Sequence, residues 1–590
     1  MVLKTRVLAI TAAYIITGTQ ANPCPPLGPT LPSAKSPSNS TIVKETLVAI
    51  QDGLVNFTST LNYTAISIGV KSIHEDEPLF DWHFTPPHAD NRSTAKVDID
   101  TVYRGGSITK LFTVLTALQN PAIKGSDPVT KYLPQLKTDA VKNEGQLNYI
   151  PWDTITVEDL ASHVSGLGGD IATDLAVFPG PWEAMGLPAV ANDTKPKCSG
   201  LLGTQACTKQ GMKIYHIPFR NRNSADTSFK DLLSGLNKKP LAFRPHTTPV
   251  YSNIGISLLS LIVEAATNKT YETILAETIL KPLGLTNTSI ATPASDSWGF
   301  IPEKEVTWGG DLGAFASAGG IYTNTRDMLA FGTAILSSDL NIDTGSWLKP
   351  RAFTSSRGYS IGAPWEIWSS STLLGSGVPV QIYTKSGDLG LYTNILLLIP
   401  DYDIVVSILT AGVEAASTFQ FPAQVISPVI SALLPALEEA NKESAAVAFA
   451  GTYSDEETNS TITLSIDDGP GLSLTNYMVR GIDILPNIPN YSTSASASFK
   501  PANVTARIYP TNIQEGDQWS WRAVYKNHDE PSIDDKLLYP EGGCQTWGII
   551  DRATYNYLAF DDFIITTAED GSAKSISPRP FGVSLAKVGK

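Results

Sequence analysis

Three short segments of the chain contain the residue types that acyl transfer needs. The first is GGSITKLFTVLTALQ, residues 105–119, in which Ser107 precedes Lys110 by three positions. In a helix, residues three apart lie on the same face, so this hydroxyl and this amine would be neighbours. A serine in the first helical turn also has a free backbone N–H and lies at the positive end of the helix dipole. The segment therefore suits a nucleophilic serine with a lysine as its base, provided that burial and a second cation favour the neutral amine.

A serine and a lysine at this spacing are a weak signal by themselves, because many helices contain them by chance and Lys110 would then lie on the surface. The second segment, Tyr251-Ser252-Asn253, stands between Pro249 and a predicted helix. A tyrosine on such a loop can donate a hydrogen bond to a reacting oxygen or accept one from it. The alternative is an aromatic side chain that packs in the core.

The third segment is Lys385-Ser386-Gly387-Asp388, on a predicted strand. Lys385 would supply the second cation, and Gly387 would let another backbone segment approach closely. The N–H of Asp388 could then join the N–H of Ser107 as a donor to an oxyanion. The alternative interpretation is an ordinary lysine on an edge strand.

Hydrophobic periodicity predicts the elements that must position these segments. An apolar face of period 3.6 predicts a helix over residues 108–118 that ends before Pro121. Further elements follow from similar patterns: helices over residues 254–266, 271–279 and 410–445, a helix capped by Thr156, a strand over residues 65–70, and a hairpin of residues 395–399 and 404–409.

The length of 590 residues indicates more than one domain, and the 42% of apolar residues suffices for a large core. Beyond residue 447, short alternating stretches separated by turn residues predict an antiparallel, all-β domain. Residues 168–245 are rich in glycine, proline and polar residues, and we interpret them as an insertion. The predicted order is a signal peptide at residues 1–21, a Pro/Ser-rich leader at 22–45, a main domain at 46–440 and the β domain at 447–590.

Several features predict a secreted protein. Lys4 and Arg6 precede a short apolar run, and Thr19 and Ala21 place small residues at a signal-peptidase site. A membrane anchor is the alternative, which the shortness of the run disfavours. The acceptor pattern N-x-S/T for N-glycosylation occurs ten times. These asparagines are Asn39, Asn56, Asn62, Asn91, Asn192, Asn268, Asn287, Asn459, Asn490 and Asn503.

The four cysteines fit the same compartment, in which disulfides form. Cys198 and Cys207 flank a short glycine-containing loop and predict a local disulfide, which leaves Cys24 to pair with Cys544. A zinc site is the alternative, but neither a C-x-x-C pair nor a nearby histidine supports it. We expect no metal and no cofactor.

The formal net charge of −14 argues against a surface that binds nucleic acid or anionic membranes. We therefore expect a small-molecule substrate and no nucleic-acid partner. After signal cleavage we expect no membrane association, and we expect a monomer.

The order of the three segments and their flanks resemble the serine β-lactamase and penicillin-binding-protein superfamily, in its class C β-lactamase, D-aminopeptidase and esterase branch. The flanks that carry the resemblance are DPVTKYLPQL, ITVEDLASHVSGL, YSNIGISLLSLIVEAATNKTYETILAETILKPLGL and AGGIYTNTRDMLAFGTAIL. The resemblance extends from about residue 48 to 415. Together with the leader and the β tail, the chain looks like the fungal secreted members of this group.

The resemblance implies an α+β fold, a β-lactamase/transpeptidase-like α/β/α sandwich in which helices flank an antiparallel sheet. It implies that Ser107 is the acylated nucleophile, Lys110 its base partner, and Tyr251 the residue that assists proton transfer. The implied substrate-binding residues are Asn253, Lys385, Ser386, Gly387 and Asp388, with the N–H groups of Ser107 and Asp388 as the oxyanion hole.

Two residues depart from the family pattern. Ser386 stands where threonine is usual, which keeps the hydroxyl. The carboxylate of Asp388 would repel an anionic substrate such as a β-lactam and favours a neutral ester, lactone or amide. Phe178 and Trp182 of the insertion are suggested as pocket lining, and we interpret His163 as structural rather than catalytic.

The resulting hypothesis is a secreted serine hydrolase that acts through an acyl-enzyme. The sequence leaves open an acyltransferase or cyclase of natural-product biosynthesis, a β-lactamase or D-aminopeptidase, and a catalytically inactive binding protein on the same scaffold. The chain has no G-x-S-x-G motif, which argues against an α/β-hydrolase.

Overall fold

The computed structural model describes residues 24–140, 147, 149–169, 174–192, 195, 236, 239–416, 420–492, 500–529 and 546–588. The chain divides into two compact units. The larger unit comprises Lys35–Leu374 and Pro379–Ala440, and the smaller unit comprises the described residues up to Ala34, Gly375–Val378 and those from Asn441 onward. The predictions for the signal peptide, for Cys198, Cys207 and Cys544, and for most of the 168–245 insertion lie outside the described residues.

The larger unit is built on one antiparallel sheet. Its strands, with the short pair β3 and β4, are β1 (Ala65–Ser72), β2 (Phe80–Phe84), β3 (Tyr103–Arg104), β4 (Tyr322–Thr323), β5 (Ala352–Phe353), β6 (Tyr359–Ile361), β7 (Glu366–Ser370), β8 (Val380–Leu389), β9 (Tyr392–Ile399) and β10 (Ile404–Ala411). The sheet has eight strands in the order β2-β1-β10-β9-β8-β7-β6-β5.

Helices flank this sheet. The helices that begin in the larger unit are α1 (Thr41–Thr58), α2 (Thr109–Leu118), α3 (Gln135–Ala140), α4 (Val157–Ala161), α5 (Asn253–Thr267), α6 (Tyr271–Leu275), α7 (Ala316–Gly319), α8 (Thr325–Leu336), α9 (Thr344–Trp347), α10 (Val413–Ala416) and α11 (Gln420–Ala448). The short helices α12 (Ile488–Ser492) and α13 (Thr546–Ile549) belong to the smaller unit. A π-helical turn, Ala276–Leu280, continues α6.

Both faces of the sheet are covered. Neighbouring side chains on a strand point to opposite faces, and every residue of β10 is buried, so other elements must pack on each face. On one face α8 packs so closely that a Cβ atom at Gly69 of β1 would lie 2.6 Å from the methyl group of Thr325. Elsewhere, α1 meets the start of α11 through the rings of Phe57 and Phe421, whose centroids are 5.6 Å apart. The predicted α+β class, an antiparallel sheet between helices, is confirmed.

Helix α2 carries the first segment and lies entirely in the core. It follows a 3₁₀ turn, Gly106–Ile108, and ends at Leu118, as the apolar period and the later proline predict. Every residue from Thr109 to Ala117 is buried, because α5 and α7 pack against the helix as well. The interpretation of Lys110 as a surface residue is therefore wrong.

The smaller unit is a second antiparallel sheet that closes on itself. Its strands are β11 (Gly451–Asp455), β12 (Ser460–Ser465), β13 (Leu472–Val479), β14 (Ile482–Asp483), β15 (Val504–Glu515), β16 (Gln518–Asn527), β19 (Asp562–Thr567), β20 (Ala573–Pro578) and β21 (Leu585–Val588), with a separate hairpin of β17 (Thr554–Tyr555) and β18 (Leu558–Ala559). The order is β12-β11-β21-β20-β19-β16-β15-β13-β14, and β12 also pairs with β13. The interior is filled by buried side chains such as Tyr453, Tyr477, Trp521 and Phe563. The predicted C-terminal all-β fold is confirmed.

Two boundaries differ from the sequence prediction. The leader was expected to reach residue 45, but α1 begins at Thr41, because Val43, Ile50 and Leu54 form a buried helical face. The predicted boundary near residue 447 coincides with the end of α11 at Ala448. The C-terminal part of the smaller unit begins earlier, at Asn441. No helix of the described chain is both long and apolar enough to cross a bilayer.

Glu264 at the end of α5 gives the larger unit a pH-dependent stability. Its carboxylate accepts a hydrogen bond from the N–H of Tyr271 at 2.8 Å, and burial raises its pKa to about 8. Glu264 of the folded protein therefore keeps its proton up to about pH 8, whereas in the unfolded chain it loses the proton near its ordinary pKa of 4.5. The stabilisation is lost as pH rises toward 8.

We expect the melting temperature of the wild type to fall by a few degrees more than that of Glu264→Gln between pH 5 and pH 8. Calorimetry at both pH values measures this difference, and Glu272→Gln is the control for removal of a neighbouring carboxylate. Parallel pH profiles of the wild type and Glu264→Gln would contradict the assignment.

Candidate active site

The structure brings the three predicted segments together around the hydroxyl of Ser107. The side-chain nitrogen of Lys110 lies 2.8 Å from Ser107 Oγ, and the hydroxyl of Tyr251 donates to the same oxygen at 2.6 Å. Lys110 is fully buried and also donates to the carbonyl of Ala318 at 2.7 Å. Ser107 thus has two groups in direct hydrogen-bond contact that can exchange a proton with it.

Glycines allow the turn before α2 to lie directly against strand β8. Gly106 has a positive φ of 54°, and a Cβ atom there would lie 2.6 Å from the backbone nitrogen of Asp388. A Cβ atom at Gly387 would lie 2.1 Å from the carbonyl oxygen of Gly105 and 3.0 Å from the nitrogen of Ser107. Side chains at either glycine would separate the two segments. The nitrogens of Ser107 and Asp388, the predicted oxyanion donors, therefore belong to one close backbone contact.

Strand β8 is an interior strand, so the edge-strand interpretation of Lys385 is wrong. The side chain of Lys385 is 1% exposed and forms an ion pair with Glu366 of the neighbouring strand β7. Burial alone would lower the pKa of Lys385, but the charge of Glu366 and the nearby Tyr251 raise it above its ordinary value. The expected second cation is present, and a carboxylate accompanies it.

The ring of Tyr251 lies close to both lysines. The Nζ atoms of Lys110 and Lys385 are 4.8 Å and 5.3 Å from its centroid, and at such a distance the charged Lys385 is attracted to the aromatic face. Although the ring is 43% exposed, the surrounding protein raises the pKa of the phenol, an effect that Lys385 partly opposes. The resting side chain is therefore the neutral phenol, consistent with its hydroxyl donating to Ser107.

The loop that presents Tyr251 is fixed from both sides. Ser252 caps α5 by accepting from the N–H of Gly255 at 2.9 Å, and its hydroxyl donates to the carbonyl of Gly168 at 3.1 Å. Asn253 begins α5, and its N–H donates to the carbonyl of Gly169 at 2.7 Å. Asn253 thus lies at the site, while its predicted contact with substrate stays a prediction.

His163 holds the other side of this loop. Its carbonyl accepts from the N–H of Val250 at 2.8 Å, and its Nδ1 accepts from the N–H of Ser252 at 3.2 Å. Its ring contacts that of Tyr251 in a tilted arrangement, with centroids 4.9 Å apart and an interplanar angle of 30°. Burial, and then Lys110 and Lys385, lower the pKa of His163 well below its ordinary value, so the imidazole is neutral. We interpret His163 as a positioning residue for Tyr251, a role that the sequence interpretation did not include.

Replacing His163 tests this role, because the residue has a positive φ of 61°, which asparagine tolerates and most residues do not. The Oδ1 of asparagine can take the place of Nδ1 as the acceptor for Ser252. We expect His163→Ala to lower kcat by about 10- to 100-fold through displacement of Tyr251, and His163→Asn to recover most of the rate. Steady-state kinetics measure both variants. Equal losses in both would mean that the hydrogen bond to Ser252 does not matter.

A cavity of about 250 Å³ opens beside this cluster. His163, Tyr251 and Glu366 line it together with Thr354, Tyr359 and Ile361. The indole N–H of Trp182 donates to the carbonyl of Phe178 at 2.8 Å, and the suggestion that these two residues line the substrate pocket stays a prediction.

Asp388 lies at the end of β8, opposite Thr393 of β9. Its side chain is exposed, yet the desolvation caused by neighbouring atoms raises its pKa above the ordinary value. Within the described residues, no cluster of three or more histidine, cysteine, aspartate and glutamate side chains is arranged to hold a metal ion.

The helix-flanked antiparallel sheet, with Ser107 in the turn before α2, Lys110 in the first turn of α2, and Tyr251 and a second lysine nearby, defines the β-lactamase class of fold. The chain belongs to the β-lactamase family: the model described as "Beta-lactamase" matches residues 58–426. A second model, "Beta-lactamase-like-like, C-terminal domain", matches residues 441–589. The family resemblance drawn from the sequence is confirmed.

The chain is also similar to individual proteins over most of its length. The chain is 27% identical to "Beta-lactamase-like protein" of Arthroderma benhamiae, over 92% of each chain. It is 25% identical to "Probable hydrolase clz13" of Cochliobolus lunatus, over 97% of this chain and 92% of that one. Among solved structures, "A class C beta-lactamase" aligns with a TM-score of 0.45 and 16% identity, over 66% of this chain and 96% of that one.

Proposed function

We propose that this protein is a secreted serine hydrolase that acts through an acyl-enzyme on a small ester, lactone or amide. The observation that carries the proposal is the contact of Ser107 Oγ with both Lys110 Nζ, at 2.8 Å, and the Tyr251 hydroxyl, at 2.6 Å. A nucleophile with two proton-exchange partners in hydrogen-bond reach is the arrangement that acyl transfer needs.

In the proposed acylation, Ser107 Oγ attacks the substrate carbonyl while its proton passes to the neutral amine of Lys110. The resulting oxyanion is held by the N–H groups of Ser107 and Asp388. Lys110 and Tyr251 then return a proton to the leaving alcohol or amine as the carbonyl re-forms. In deacylation water attacks the ester carbon, and its proton passes through the Tyr251 hydroxyl to the neutral amine of Lys110. As the carbonyl re-forms, Lys110 returns a proton to Ser107 Oγ, which leaves, and the acid is released.

The relatives support hydrolysis in their printed names, two of which read "Probable hydrolase". Ser386, where the family pattern has threonine, keeps a hydroxyl that donates to Glu366 at 3.2 Å. The exposed carboxylate of Asp388 supports a neutral substrate over an anionic one.

Secretion and glycosylation are part of the proposal. Eight of the ten sequon asparagines are exposed, and only Asn287 and Asn490 are half-buried. The sulfur of Cys24 lies 3.4 Å from the hydroxyl oxygen of Thr546. Thr546 follows Cys544 by two positions in the sequence. This contact supports the proposed Cys24–Cys544 disulfide. Peptide mapping without reduction tests it, and a free Cys544 would contradict it.

The activity is tested by a screen of p-nitrophenyl esters, lactones, D-amino-acid amides and a chromogenic cephalosporin, with added acceptor alcohols to distinguish hydrolysis from acyl transfer. We expect the highest kcat/KM on a neutral ester or lactone, with water as the main acceptor. Preferential cleavage of the anionic cephalosporin, or an alcohol adduct as the main product, would overturn the proposed reaction.

A further inference from the structure

Glu366 occupies the position where the third segment would otherwise bind an anion. Its carboxylate accepts from three groups of that segment: the ammonium of Lys385, the N–H of Ser386 at 2.9 Å and the hydroxyl of Ser386 at 3.2 Å. An ammonium, a hydroxyl and a backbone N–H that converge on one point form a strong carboxylate site. In this chain the protein's own carboxylate fills that site.

The position of Glu366 also controls what a ligand in the cavity meets. Glu366 lines the cavity, with 16% of its side chain exposed, whereas Lys385 lies behind it at 1%. The neighbouring wall, from Thr354, Tyr359 and Ile361, carries no charge. The Lys385–Glu366 pair is neutral as a whole, and its accessible edge is the carboxylate. The charge of Glu366 supports the positive charge of Lys385, whose pKa it raises against the effect of burial.

We propose that Glu366 is a specificity-determining residue that blocks an anion subsite at Lys385 and Ser386 and restricts the acyl group of the substrate to uncharged chemistry. The inference rests on the proposed serine hydrolase function. An acyl chain with its own carboxylate would have to displace Glu366 from three donors, or lie beside it as an unpaired like charge.

The test compares two acyl donors of equal size: the p-nitrophenyl monoester of adipic acid, which is anionic, and its terminal amide, which is neutral. We expect the wild type to prefer the amide in kcat/KM by at least about tenfold, and Glu366→Gln to shift this ratio toward the acid by at least about tenfold, because Lys385 then lacks its carboxylate. Glutamine can still accept from the N–H of Ser386, so the loop geometry is kept.

Glu158→Gln is the matched control, because Glu158 is also a carboxylate paired with a cation, Arg351 at 2.8 Å, but it does not line the cavity. We expect it to change the ratio by less than about threefold, since the Glu158 side chain is 47% exposed and its ion pair lies outside the cavity. An equal shift in both variants would show a general charge effect and would overturn the inference. Glu366→Ser serves as a second variant if the glutamine variant does not fold.

A second measurement needs no turnover. Calorimetry with adipate and adipamate measures binding to the wild type and Glu366→Gln, and we expect adipate to bind the variant at least about tenfold more tightly. Unchanged adipate affinity and an unchanged ester ratio would overturn the inference even where the wild type is an active serine hydrolase. Loss of Ser107-dependent turnover on both esters would contradict the proposed function, and the binding result would still decide the role of Glu366.

Discussion

Ser107→Ala is expected to lower kcat/KM for a neutral p-nitrophenyl ester by about four orders of magnitude or more, to the rate that binding and the remaining polar groups can sustain. The hydroxyl is the only group of Ser107 that contacts both Lys110 and Tyr251, so its removal leaves the two partners without an oxygen to activate. The backbone turn is set by Gly106 and by packing against β8, which alanine does not disturb.

The matched control is Ser257→Ala. Ser257 is a buried serine of α5 whose hydroxyl has no hydrogen-bond partner in the described structure, so its removal should leave turnover and folding unchanged. Melting temperatures and initial rates of both variants are measured on the same ester. Turnover of Ser107→Ala within tenfold of the wild type would place the nucleophile elsewhere.

Lys110→Met is expected to lower kcat by about three orders of magnitude with a smaller change in KM, because the loss is of a proton acceptor in the transition state. Lys110 is fully buried and donates to the Ala318 carbonyl as well as to Ser107. Methionine fills nearly the same volume, whereas alanine would leave a cavity in the core and confound activity with stability. The burst of p-nitrophenol in stopped flow reports the acylation step directly.

Lys131→Met is the control for this change, because Lys131 is an exposed lysine paired with Asp127 and lies outside the site. Its kinetics should match those of the wild type. A rapid burst in Lys110→Met, with slow turnover only afterwards, would assign Lys110 to deacylation alone and would contradict its role as the base that activates Ser107.

Much of the fold could be predicted from local patterns. The helix behind Ser107 follows from apolar residues at period 3.6, and the hairpin of β9 and β10 from two apolar runs around a turn. The segments that contain Ser107, Tyr251 and Lys385 were identified by residue type and spacing, and the structure brings them into contact. Each of these signals lies within a few residues of the chain.

The rest of the site depends on contacts between distant segments. Glu366 reaches Lys385 only because β7 pairs with β8 in a register that sets Glu366 opposite Thr384, and no local pattern of residues 366–370 specifies that register. The acceptor role of His163 depends on a left-handed backbone at the end of α4 and on a loop almost ninety positions later. Likewise, alternation predicted the C-terminal strands but not the pairing of β12 with β13 that closes their sheet.

The most direct test of Ser107 as the acylated nucleophile is covalent labelling of the protein with a serine-reactive phosphonate, followed by peptide mapping. We expect one modified peptide, the one that contains Ser107, and no label on Ser107→Ala or on protein first incubated with a slowly deacylating ester. Label that persists on Ser107→Ala, or that maps to a different serine in the wild type, would contradict this assignment.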